Sequence, residues 1–402
     1  MQTQEESNQM LVAAVQNFEN ALLVDPQNDT ARTLLATTQL ALFLNDNVIS
    51  PSTGCSALCA LLDGFGAGQG GRNLFNFGLT FPTPLPANSP TGADVQTFND
   101  VDLIPVLISS ATLLEAVAVE FSDTVELFGS MVELDYGDAM VAAAALRAIQ
   151  INLESTLVLE TTGDIDAIAS ATFPLTGDGV SYPYRIFSGD TPTNIVQGQE
   201  CPITDPLAGP NDTRPGFLND VANAMTMQTF LTRPNAGAKL ESLRQGLIAL
   251  SMNYIAGSES IIAETDPQDD DLVTFTAEQA CQNPFVVQYL QGVITALSGS
   301  GVVVIPAVTS PVGNPCQVDL PQVTYNNTLA WEAGTYAGRP FLPDYTLSMA
   351  PQPCVADVNS FPDPTFGGAF PSLDAVSLLE GWNEANRLWD TLLFGRPVDA
   401  AY

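Results

Sequence analysis

The sequence predicts a mainly α protein, with a helical hairpin at the N-terminus packed on a helical domain that carries long, irregular Pro/Gly-rich loops and minor β structure. Three observations predict it. Apolar residues recur at three and four along several stretches, the spacing of one helix face. Alanine and leucine, strong helix formers, dominate the longest of those stretches. Between them lie segments dense in glycine and proline, which interrupt regular structure.

Taken in order, Leu11, Ala14, Val15, Phe18, Ala21 and Leu22 place a first helix within 5–45, and Asp25-Pro26 ends it. A second runs from about Asp29 to Leu44. Residues 46–101 read as loop-rich, with Gly64, Gly66, Gly68, Gly70 and Gly71 followed by FPTPLPANSP. Gly66, Gly68 and Gly71 satisfy GxGxxG, but no β-rich run precedes them and a proline-rich stretch follows, which is the wrong context for a dinucleotide site. An apolar helical stretch covers Asp102 to Glu120, and an Ala/Leu helix covers Tyr136 to about Glu160. Residues 161–216 read as connection or small β structure. Helices resume at about 217–231 and 236–263, then from Thr276 to Leu297 with a break at Pro284. Val302 to Ile305 is a short β-branched run, 306–371 is proline-rich and aperiodic, and a last helix runs from a Ser372 cap to about Phe394.

Ala14, Phe18, Ala21 and Pro26 fall at the spacings of the second helix of a tetratricopeptide repeat, and FENALLVDPQNDTAR looks like the junction into a next repeat. Over about residues 8–45 the chain resembles one such repeat, although the following helix lacks the expected aromatic and glycine. The resemblance implies a helical hairpin and a partner-binding groove. About three repeats are needed to bury a continuous core, so the hairpin is expected to dock on the rest of the chain. This gives a division into 1–45 and a loop-rich helical region 46–402. The tail FPDPTFGG, Phe361 to Gly368, joined to the repeat-like start, is similar to uncharacterised secreted bacterial proteins, and that likeness implies a compartment and no activity.

The chain has 402 residues, 11 Lys and Arg against 45 Asp and Glu, no histidine and a net charge of -34. With 46% hydrophobic and 14% charged residues it can bury one large core or two ordinary ones. Its field repels phosphate backbones, and Lys239 with ten scattered arginines builds no basic patch in sequence, so nucleic acid is not an expected partner. Without histidine, a Ser-His-Asp triad, a Cys-His dyad and a His-ligated metal are excluded within this chain. The run Met140 to Ile151 contains Arg147 and falls short of the roughly 20 residues that cross a bilayer, so no transmembrane segment is expected.

Cys55, Cys59, Cys201, Cys281, Cys316 and Cys354 are six cysteines with no CxxC spacing. They read as disulfides formed in an oxidising compartment, Cys55 with Cys59 a plausible local pair, or in part as small buried hydrophobes. Sequons at Asn28, Asn211 and Asn326 fit an exported chain. MQTQEESNQM is polar and acidic, unlike a signal peptide. The expected location is extracytoplasmic (secreted, periplasmic or cell-surface), in the mature form.

Glu133, Asp135 and Asp138 lie just before the long Ala/Leu helix, and Asp266, Asp269, Asp270 and Asp271 form a second acidic run. Both are candidate calcium sites, since that ion takes six to eight oxygen ligands. Equally, the first group can complement a helix N-terminus and the second, which lacks the EF-hand glycine and glutamate, can be a solvated turn. Calcium is the one cofactor the sequence suggests, and halophilic adaptation would explain the same acidity.

Glu332 beside Trp331, and Glu384 and Asp390 among Trp382 and Trp389, are the material for a carboxylate glycan hydrolase, but Trp382 and Trp389 share a helix face and read as core. The expected function is therefore a non-enzymatic structural or interaction protein, possible subunit of a surface assembly or filament, whose partner is protein, foremost itself. The alternatives are a secreted module binding a peptide, glycan or small molecule, and that hydrolase.

Overall fold

The computed structural model describes residues 4–45, 55–67, 86, 88–127, 130–158, 237–264, 271–311, 313, 316–331, 343, 347–349 and 356–383. Among these the protein is mainly α, with three two-stranded antiparallel ribbons. Its long helices form a row in which each packs chiefly on the helix before and the helix after it. The predicted helices at 217–231 and the segment 161–216 lie outside the described residues.

The row begins with the hairpin α1 (Gln4–Val24) and α2 (Asp29–Asn45). In α1 the predicted stripe from Leu11 to Leu22 is half-buried, whereas Gln9, Ala13, Gln16 and Asn20 opposite it are exposed. Asn28 starts α2 by accepting from the Ala31 amide at 2.8 Å. The first turns of α2 then fasten the hairpin to the next helix. Arg32 Nη1 reaches Asp29 Oδ1 at 2.5 Å and the Ala116 carbonyl at 2.8 Å, its Nη2 donates to the Pro26 carbonyl, and the Ala118 amide donates to Asp29 Oδ2 at 3.1 Å. Arg32→Ala leaves the two carbonyls and Asp29 without this donor, worth about 1.5 to 3 kcal/mol for a charged hydrogen-bonding group. The expected result is faster amide exchange throughout 4–45 with protection of 104–157 retained; equal loosening of both regions would refute the clamp.

A short helix, α3 (Ala57–Gly64), is capped by Ser56 and cross-linked at its start by Cys55–Cys59. Helix α4 (Gly92–Phe98) opens on a Thr91–Asp94 capping box and continues through a π turn, Asn99–Leu103, into α5 (Ile104–Glu115). Two expectations are corrected here. Residues 46–101 hold helices as well as loop, because Ser56 and Thr91 supply caps that glycine and proline counting overlooks. The predicted helix to Glu120 stops at Glu115, and β1 (Ser122–Leu127) and β2 (Ser130–Asp135) follow as a hairpin with Ser122 opposite Asp135. Gly92–Glu115 is long and apolar enough to cross a membrane by length and composition. Its Leu107, Ala111 and Leu114 are nonetheless 2%, 0% and 1% exposed, packed with Ala36 of α2, so it serves as a core helix.

Helices α6 (Tyr136–Leu157) and α7 (Gly237–Ala263) share the most extensive contact among the described helices. Gly137 faces Ile261 and Gly257 faces Val141; a methyl group on Gly257 would sit 2.8 Å from the Val141 amide nitrogen and 2.9 Å from the Gly137 carbonyl. Ala139, Met140 and Ala143 of α6 complete the first core with α2 and α5. Helix α8 (Ala277–Ser298), started by a Thr276–Gln279 capping box, runs through Pro284 where a break was expected. One absent N–H and a ring are tolerated there because α8 is held on both sides, by α7 and by the ribbons.

Strand β3 (Val302–Ile305) pairs with β6 (Val323–Asn326), and β4 (Val308–Thr309) with β5 (Asp319–Leu320). Order thus extends into 306–371, which the sequence read as aperiodic. Cys281–Cys316 ties the start of α8 to the approach to β5. Helix α9 (Asn327–Trp331) and the FPDPTFGG turn close a second core around Ala296, Leu297, Ile305, Tyr325 and Ala369. In that turn Asp363 accepts from Thr365 N, Thr365 Oγ1 and Gly367 N, and Phe366, Gly367 and Gly368 take φ of 56°, 68° and 84°. Two glycines supply that backbone freely; Phe366 is held in it by an edge-on contact with Phe370 at 5.5 Å. The Ala369 carbonyl accepts from the Asn326 amide at 2.6 Å, pinning the turn on β6. The helix at 375–383 is capped by Asp374, which accepts from the Ser377 amide at 2.8 Å, and not by Ser372.

Candidate functional site

The two acidic segments that the sequence places more than a hundred residues apart meet at one point. β2 ends at Asp135, which caps α6 by accepting from the Asp138 amide at 2.7 Å. Antiparallel packing brings the end of α7, and Glu264 just beyond it, to the same end of α6. Asp271 then bridges Glu133 through the backbone in parallel fashion, and the Val273 amide donates to Asp138 Oδ1 at 2.8 Å. Asp135, Asp138, Glu264 and Asp271 so share one electrostatic neighbourhood.

The consequence is suppressed ionisation. Asp138 is 3% exposed, and burial foremost, then the charge of Asp135, pushes its carboxyl up to about 7. Glu264 is pushed up to about 8 by burial, by its hydrogen bond to Asp135 and by the charges of Asp135, Asp271 and Asp138. Two carboxyl groups within hydrogen-bond reach cannot both stay charged at low cost, so Glu264 carries the proton and donates it to Asp135. An acid at the third position of a helix normally gains from the dipole; at Asp138 burial outweighs that gain.

Of the seven carboxylates expected at calcium sites, Asp135, Asp138 and Asp271 are gathered here. Glu133 belongs to β2, where it accepts from Ser122 Oγ at 2.6 Å. Asp266, Asp269 and Asp270 lie outside the described residues. Glu264 was not legible: it follows an ordinary apolar helix, and only the antiparallel pairing of α6 with α7 brings it in. A hard divalent cation is the metal these donors suit. The one trio of Cys, Asp or Glu among the described residues whose ligand atoms all lie within 4.8 Å of one another is Cys55, Cys59 and Asp63, where both sulfurs are spent on the disulfide. The carboxylate cluster is set wider.

A second polar system joins α5, α6 and α7. Arg147 holds Glu115 by Nε and Nη2, both at 2.8 Å, and donates by Nη1 to Gln150 at 2.9 Å. Asn253 donates to Glu115, and Gln150 and Ser242 donate to Glu154 Oε1 at 3.0 and 2.7 Å. Burial alone would raise the Glu115 carboxyl, but the bonds from Arg147 and Asn253 outweigh it and hold the group below its ordinary value. These bonds pin the register of α5, α6 and α7, whose contacts are otherwise largely small and apolar.

The cysteine expectation is met for two pairs, Cys55–Cys59 and Cys281–Cys316; Cys201 and Cys354 lie outside the described residues. Of the hydrolase candidates, Trp382 is buried and Trp331 packs beside the second core, donating by Nε1 to Asn327 Oδ1 at 2.8 Å. Glu332, Glu384, Trp389 and Asp390 lie outside the described residues. No protein-family model, curated protein or solved structure matches this chain.

Proposed function

We propose that this chain is a non-enzymatic structural or interaction protein of an extracytoplasmic compartment, acting by association with protein and foremost with copies of itself. The observation that carries the reading is α1, which spans 21 residues and contains no fully buried side chain among those described. Its apolar stripe packs chiefly on α2 among the described long helices and stays half-buried. A repeat-like pair gains most by stacking on a like pair, so the open seam suits a second hairpin. The two disulfides support an oxidising compartment.

A net charge of -34 opposes contact between copies, so association is expected to strengthen with salt and with divalent cations. The test is light scattering and electron microscopy on non-reduced full-length protein, in low and high salt, with calcium and with chelator. Concentration-dependent oligomers that grow with salt or calcium support the reading. A monomer under every condition overturns it.

A further inference from the structure

Beyond self-association, the groove between α3, α4 and the π turn has the chemistry of a cation site. It is a cleft of about 400 Å³, within the size range of small-ligand pockets. Ala57, Ala60, Leu61 and Phe98 give it apolar lining, and Asp94 and Asp102 its two carboxylates, with no basic residue among the described lining residues.

Both ends of α3 are fixed. The Cys55–Cys59 disulfide anchors the start of α3, with Cys59 fully buried. At the other end Gly64 lies so close to Pro90 that an added methyl would come within 2.7 Å of its ring. The two carboxylates have different duties. Asp94 accepts from Thr91 N and Oγ1 at 2.7 and 2.8 Å, and these bonds lower its pKa and keep it ionised. The π turn splits its own acids: Asp100 pairs with Lys239, while Asp102, two residues on, lines the cleft with no hydrogen-bond or ion-pair partner among the described residues. π turns are frequent at functional sites because they re-aim a side chain within a helix.

Apolar lining beside carboxylates fits an aliphatic stem that ends in a positive charge. We propose that this groove receives the basic side chain, lysine or arginine, of a partner protein. The chain itself, with 11 basic residues against 45 acidic ones, is a poor source of such side chains. The site therefore points to a second, basic partner and does not depend on self-association.

The test is calorimetric titration of the full-length, non-reduced protein with acetyl-Ala-Lys-Ala-amide, its arginine and norleucine counterparts, and n-butylamine. The lysine and arginine peptides are expected to bind at least tenfold more tightly than the norleucine peptide. Asp102→Asn should weaken the lysine peptide about tenfold, Ala60→Trp should abolish its binding by filling the cleft, and Glu126→Gln on the remote β1 strand should change nothing. Equal binding of the norleucine peptide overturns the charge argument, and it needs no variant. Equal binding of butylamine overturns a peptide as the source. An equal loss in Glu126→Gln would reduce the effect to general attraction by an acidic protein and overturn the site.

Discussion

Gly257→Ala is expected to cost about 3 kcal/mol of global stability, although alanine is the better helix former by about 1 kcal/mol. The new methyl would press on the Val141 amide and the Gly137 carbonyl, both backbone atoms that no side-chain rotation can move aside. Helices α6 and α7 must then separate, and Ala256 of α7 is drawn away from the core that Ala139, Met140 and Ala143 form with α2 and α5. Gly381→Ala is the control. It lies in the helix at 375–383 with no atom of the described residues within 4 Å of the added methyl, so the same substitution should stabilise by about 0.5 to 1 kcal/mol. Denaturant midpoints that move the same way in both variants would show that helix propensity, not close packing, decides.

The second large effect is a loss of stability as pH rises. Asp138 and Glu264 have folded-state values near 7 and 8 against ordinary values of 3.8 and 4.5. Protons therefore bind the folded chain more tightly than the unfolded one. Their stabilising contribution is complete below about pH 4 and is lost progressively up to about pH 8. Asp138 alone should account for on the order of 2 kcal/mol of it. Asp138→Asn keeps an acceptor for the Val273 amide while removing the charge, so it should match the native protein at pH 4 and exceed it at pH 8. Millimolar calcium should stabilise the native protein at pH 8 more than at pH 5. Thermal melts across pH 4 to 8 check all three, and a native protein that grows more stable toward pH 8 without added cation would refute the cluster's role.

The helices were legible to within a residue or two where one apolar face met a clear stop. Asp25-Pro26 ended α1, and Thr276 opened α8. The hairpin β1–β2 was missed because its strands carry acids on both faces and present little alternation beyond Val125, Val132 and Leu134. The candidate site was half legible. Asp135, Asp138 and Asp271 stood out as acids near an element boundary, but their convergence depends on Gly137 and Gly257 letting α6 and α7 approach, and small residues at 120 positions' separation announce no pairing. Tyr325 gave no signal either: its hydroxyl is buried and pushed up to about 12, burial being the chief cause, simply because β6 lies beneath the FPDPTFGG turn.

Helices in a row, each resting on its predecessor and its successor, also set how the molecule yields to a pull. Tension applied between residues 4 and 298 loads the interfaces in series. The weakest link opens first, and that is the hairpin held by Arg32 and Asp29. The seam of α6 with α7 opens last, since two glycine contacts and the hydrogen bond from Ser242 to Glu154 hold it. Stretched in a force instrument, the protein would lengthen by separate steps, with its N-terminal hairpin acting as a sacrificial fuse for the core behind it.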